Sequence, residues 1–351
     1  MNLGNKKSNL LILLAVFIVG GCGNFSGNYE EIESSTSSDT TTSSDSTSDT
    51  TTSSDSTASF VAVGGDGTIL TSSDLTTWTS RTSGTSNSLN GVTFGKYSYV
   101  AVGDNGTILT SPYGITWTSR TSGTSNSLSE VTSTKGYNCA CDSTFVAVGD
   151  NGTILTSPDG TTWTSRTSGT SNSLNGVTYM RQGTVLTKFV AVGDNGTTLT
   201  SPDAITWTSR TSGTTNSLNG VTYIGNNTYV AVGDNGTILT TSNSHTWTSR
   251  TSGISNSLSE ITYGDSVYMT VGANGQIRTS FDGITWVGRS SGTSTDLSGI
   301  TFANYHPPNS SSSFVAVGLG GTILTSLAQS YVVERTSGTT KNLQGVAYNQ
   351  W

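Results

Sequence analysis

The sequence predicts an all-β fold, a seven-bladed β-propeller of four-stranded blades over residues 60–351, on three observations. A Val-Ala-Val-like run ends in glycine at Gly64, Gly103, Gly149, Gly193, Gly233, Gly272 and Gly318, with intervals of 39, 46, 44, 40, 39 and 46 residues. That period is the length of a propeller blade. The composition agrees: 42 of 351 residues are Gly and only 11% are charged, with Ser, Thr and Asn filling much of the rest, which disfavours helix interiors and an ordinary helical or doubly wound enzyme. Finally, the array begins one strand short and ends one strand long.

Each repeat justifies its strands in turn. Tyr99-Val100-Ala101-Val102 is an alternating run, Asp104-Asn105-Gly106 a turn, and Thr107-Ile108-Leu109-Thr110 the returning run. Asn-Gly between two such runs is a strong hairpin signal, because both residues must tolerate positive φ. A further strand is expected at Thr116–Arg120, and Leu128-Ser129-Glu130-Val131-Thr132 opens the next blade.

The ends decide how the ring closes. No Leu-x-Gly-Val-Thr strand precedes Phe60, yet the chain finishes on Leu343-Gln344-Gly345-Val346-Ala347-Tyr348. The C-terminal strand is therefore expected to complete the first blade as its innermost strand. Closure removes free sheet edges, and a monomer is expected. A β-solenoid, the rival architecture, gives no reason for an orphan strand at each end.

Ahead of the propeller, Lys6 and Lys7 precede an apolar run from Leu10 to Val19 and the sequence Gly20-Gly21-Cys22. The run is too short for a membrane span and suits a secretory h-region. The order of charged start, apolar run and small residues before cysteine resembles a bacterial lipoprotein signal. The resemblance implies a signal peptide at 1–21, cleavage before Cys22, lipidation of its thiol and anchoring to a membrane of the cell envelope. Gly23, in place of Asp, implies the outer membrane where two membranes exist. Residues 22–59, counted from the lipidated Cys, are rich in Ser, Thr and Asp with almost no apolar residue after Ile32, so they are expected to form a disordered tether. Seven of the 22 acidic residues and two of the 15 basic ones precede residue 60, leaving 13 basic against 15 acidic, a net charge of −2. So neutral a body argues against nucleic acid as a partner.

Between the second and third strands of the repeats lies Ser157-Pro158-Asp159-Gly160-Thr161-Thr162-Trp163, kept well at Asp203 and Trp207 and at Asp282 and Trp286. This resembles the Asp box, or bacterial neuraminidase repeat, in which Asp accepts turn amides and Trp packs against the neighbouring strand. Asp is replaced at Tyr113, Asn243 and Ala328, as a packing motif allows and a ring of catalytic acids would not. The whole unit, Val-Gly-x-x-Gly-x-Ile-x-x-Ser followed by Asp-Gly-x-Thr-Trp, Ser-Gly-Thr and Leu-x-x-Val, resembles the propeller of photosystem II assembly and stability factors. That resemblance implies a client-binding scaffold. The family's basic patch has a different counterpart here: Arg81, Arg120, Arg166, Arg210, Arg250, Arg289 and Arg335 occupy one repeat position and are expected to form an outer girdle, solvated or stacked on Trp.

The candidate sites are few. Glu130 and Glu260 replace Gly on innermost strands three blades apart and could face each other across the channel, as a glycosidase pair or simply as solvated substitutions. A sialidase-like activity would need an Arg cluster and a Tyr-Glu pair that the repeats do not supply. Asp104, Asp150, Asp194 and Asp234 with Asn87, Asn126, Asn172, Asn216 and Asn256 are expected to share one polar face, able to hold a repetitive glycan by many weak contacts. The opposite face carries variable inserts near 135–142, 180–188 and 303–313, where an envelope protein partner would be recognised. Cys139 and Cys141 are expected to form a small loop-stiffening disulfide. His245 and His306 have no ligand spacing, and neither metal nor cofactor is called for. The sequence thus reads as a non-catalytic envelope lipoprotein that binds or scaffolds, with an assembly factor for an envelope protein complex as the alternative.

Overall fold

A computed structural model describes residues 59–134, 144–182, 186–225, 228–304, 312–326 and 332–349. Cys22, the tether before residue 59, and Cys139 and Cys141 lie outside the described residues. Those residues form seven four-stranded sheets, the blades of a propeller. Blade 2 is typical: Leu89–Gly95 is innermost, followed outward by Ser98–Gly103, Thr107–Ser111 and Thr118–Arg120. The outermost strand begins after Trp117, not at Thr116, because the Trp belongs to the preceding turn.

Blade 1 closes as the strand count requires. Leu343–Tyr348 pairs antiparallel with Phe60–Gly64, matching Phe60 to Tyr348 and Val63 to Gly345. Phe60 and Tyr348 stack with ring centroids 4.9 Å apart, and Lys341 Nζ meets Asp66 Oδ2 at 2.6 Å beside the seam.

Alternation along the strands builds the core between blades. The Val-Ala-Val runs are fully buried on both faces. Val61, Val63 and Ile69 of blade 1 thus pack against Leu89, Tyr99, Ala101 and Leu109 of blade 2, and equivalent clusters fill the other interfaces. Burying a side chain of this size contributes about 1.5–3 kcal/mol. The glycine ending each Val-Ala-Val run is demanded by crowding: its backbone is extended, but a Cβ on Gly103 would stand 2.0 Å from the Ser88 carbonyl oxygen. The next turn needs glycine for the other reason. Asn105 and Gly106 both have positive φ, 54° and 66°, as the Asn-Gly signal predicts.

Candidate functional site: channel and two faces

Every innermost strand carries a bulge at one place. Leu89 pairs with Gly103 and Gly91 with Val102, leaving Asn90 as the extra residue; Ser129, Asn175, Asn219, Ser259, Ser298 and Gln344 occupy the same position. A bulge re-aims its side chain, and here all seven residues line a central cavity of about 420 Å³. Three of them lock adjacent blades. Asn90 Nδ2 donates to Asp104 Oδ1 in its own blade and to the Leu128 carbonyl of the next, each at 3.0 Å. Asn175 and Asn219 repeat the bridge to Asp194 and Leu218 and to Asp234 and Leu258.

Glu130 and Glu260 stand in the same cavity. Each accepts one backbone hydrogen bond on Oε1, from Val131 and Ile261 respectively, at 2.9 Å. Both are half-buried there. Burial pushes the Glu130 carboxyl up to about 8. Burial also raises Glu260, with a further rise from the Glu130 charge. No Arg, Lys or His is among the residues lining the cavity.

The Asp-Asn-Gly turns and the connections between blades do share one end of the strands, but their polar groups are largely used within the chain. Asn87, Asn126, Asn172 and Asn216 donate to Thr107, Thr153, Thr197 and Thr237 at 2.8–2.9 Å. Asn105, Asn151, Asn195 and Asn235 in turn donate to those four asparagines. Asp104, Asp194 and Asp234 accept the bulge asparagines, and Asp150 accepts Ser173 Oγ. Shallow grooves of about 610, 540 and 730 Å³ open on this face in blades 2, 3 and 4.

On the opposite face, Asp159 Oδ1 accepts the amides of Thr161 and Thr162 and the Ser157 hydroxyl, at 2.8, 2.9 and 3.0 Å. Trp163 Nε1 donates to the Gly160 carbonyl. Asp203 and Trp207, and Asp282 and Trp286, repeat the pattern. Burial raises each carboxyl, most of all Asp159, but the hydrogen bonds together outweigh it and hold all three below their ordinary range. The repeated arginines end the outermost strands and make a bond within the blade. Arg120 Nε donates to Thr110 Oγ1 at 2.8 Å, and the others make the same bond, tying the outermost strand to its neighbour.

Apolar exposure is confined to this second face among the described residues. Tyr97 lies in the hairpin of blade 2; Tyr113, Ile205, Phe281 and Ile284 lie in turns between third and fourth strands; Val287 starts the strand after one of them. Phe281 is 59% and Ile284 52% exposed. Three of the six thus fall within residues 281–287 of blade 6. Sequence reading missed this segregation, although Phe and Ile at the second and fifth positions of that turn were the signal.

The fold and its polar channel define the class, a seven-bladed propeller. No protein-family model matches the sequence, and a search of curated proteins finds no relative. Solved structures are similar in fold. They include YCF48 bound to D1 peptide, with a TM-score of 0.58 and 17% identity over 78% of this chain and 92% of that one. YCF48 from Cyanidioschyzon merolae has a TM-score of 0.53 and 15% identity over 73% and 87%. Saccharomyces cerevisiae Sqt1 has 0.56 and 12% over 80% and 82%.

Proposed function

We propose that this chain is a non-catalytic scaffold of the cell envelope, anchored through Cys22, that docks a partner protein on the face bearing the variable inserts. The observation that carries the reading is the segregation of exposed apolar side chains, with Phe281, Ile284 and Val287 grouped in blade 6. Exposed apolar groups gathered on one face are what a protein interface requires. The structure of YCF48 with D1 peptide supports the reading, since a propeller of similar fold there holds a peptide. The envelope address rests on the lipoprotein-like first 22 residues and the tether that follows. The absence of Arg from the cavity lining speaks against a sialidase-like site built on Glu130 and Glu260.

The test compares three full-length proteins in the producing cell: wild type, Phe281→Ser with Ile284→Ser, and Asn105→Ala with Asn151→Ala on the polar face. The reading expects one discrete complex with wild type and the polar-face variant, lost in the apolar-face variant. Loss only in the polar-face variant overturns it.

A further inference from the structure

Blade 6 breaks the repeat at one place on the polar face. Where the six other blades have Leu in the second inner-to-outer hairpin (Leu70, Leu109, Leu155, Leu199, Leu239 and Leu324), it has Arg278. Four more changes surround that side chain. Thr270 replaces Ala of the Val-Ala-Val run and sits opposite Arg278 in register. Gly288 replaces Ser or Glu on the other side. Gln276 replaces Thr two residues earlier, and Ile254 replaces Thr in the connection entering the blade.

The changes fit one another. A Cβ on Gly288 would lie 2.7 Å from Arg278 Nη1, so the guanidinium rests where the side chain of every other blade would stand. Arg278 remains half-buried and forms no ion pair; the one ion pair among the described residues is Lys341 with Asp66. Its Nε is buried without an acceptor, and Nη2 reaches Gln276 Oε1 only at 3.5 Å. A half-buried cation so poorly satisfied attracts an oxyanion strongly. The loss of Thr at 276 has a second effect. Asn256 has no threonine hydroxyl to donate to, unlike Asn87, Asn126, Asn172 and Asn216. Ile254, partly buried against the core between blades 5 and 6, adds an apolar wall.

Leu109 and Leu155 line the grooves of blades 2 and 3, beside Thr85 with Asn87 and Thr124 with Asn126. By register, Arg278, Ile254 and Asn256 occupy the same places in blade 6. We infer that this equivalent place in blade 6 binds a hexuronate residue of an acidic saccharide. The carboxylate takes the two Nη groups of Arg278, a ring hydroxyl takes the Asn256 amide, and the C–H face of the ring lies on Ile254. An isolated carboxylate would use Arg278 and leave the other two idle.

The full chain would be titrated with D-galacturonate, D-galactose and acetate, following the indole fluorescence and amide shifts of the blade. Binding of galacturonate about tenfold tighter than either control is expected, a difference of about 1.4 kcal/mol. Arg278→Leu restores the residue of the other blades and should fold with an undiminished melting temperature while losing the binding. Gly288→Ser, which crowds the guanidinium, should weaken it in the same direction. Absence of galacturonate binding, binding kept in both variants, or acetate binding as tightly as galacturonate would each overturn the inference, the last by leaving a simple anion contact. Because this place and the apolar patch lie on opposite faces, loss of this binding leaves the protein-docking reading untouched.

Discussion

Glu260 lies so close against Gly220 of the preceding blade that a Cβ on that glycine would stand 2.7 Å from Oε1 and 2.9 Å from the Glu260 Cα. Glu130 and Gly91 repeat the relationship at 3.2 and 2.9 Å. Each channel carboxylate therefore uses space left by the glycine beside it. Gly220→Ala is expected to lower stability by about 1–3 kcal/mol, the usual cost of overpacking, read as a drop in melting temperature. An unchanged melting temperature would show that the inner strands separate freely.

The channel acids give the protein an unusual pH profile. A carboxyl raised to about 8 in the folded chain still holds its proton where the unfolded chain, with the ordinary value of 4.5, has lost it. Stability therefore falls as pH rises from about 4.5 to about 8, since the folded state binds more protons across that window. Glu130→Gln with Glu260→Gln should flatten the decline and raise stability at pH 8 by on the order of 1–2 kcal/mol, allowing for the cavity's solvent. Denaturant melts at pH 5 and 8 measure it. A decline of equal slope in the variant contradicts the assignment.

The turn carboxylates act in the opposite sense. Hydrogen bonds from Thr76, Thr77 and Ser72 lower Asp74 to about 2 against an opposing effect of burial, so its contribution is full above the unfolded value near 3.8 and disappears as pH falls through about 2. Asn243 accepts the His245 and Thr246 amides through Oδ1 just as the aspartates do in their turns. Asp159→Asn should accordingly be tolerated, while Asp159→Ala should cost about 1 kcal/mol for the lost acceptor. Equal melting temperatures for the Ala and Asn variants would remove the hydrogen bonds from the account.

Ring closure should be the costliest feature to lose. Deleting residues 343–351 strips Phe60–Gly64 of its inner partner and takes Leu343 and Val346 out of the core they share with Phe60, Ala62 and Leu70. A loss of several kcal/mol is expected, a large share of the roughly 5–15 kcal/mol that holds a domain together. A truncated chain that melts like the full one would refute closure by the C-terminal strand.

The architecture was legible because its signals are local and repeated. Val-Ala-Val-Gly marks a strand, Asn105-Gly106 a positive-φ turn, and the unpaired strand at 343–348 the seam. The channel was legible only as a pair of misfit residues, Glu130 and Glu260. That Asn90, Asn175 and Asn219 are bulge residues depends on a one-residue register shift, which alternation of apolar residues does not reveal. That each girdle arginine also ties its strand to the next was not legible, because the Thr110 hydroxyl that receives Arg120 lies ten residues earlier on the adjacent strand. The blade 6 changes were visible one by one. Only the pairing of Arg278 with Thr270 and Gly288 brings them together.

The most direct test of the docking account is photocrosslinking in the producing cell, with a photoreactive residue placed at Phe281 in one full-length protein and at Asn105 in another. The account predicts a single discrete protein adduct from position 281 and none from position 105. Adducts from position 105 alone, or the same adduct from both positions, would contradict it.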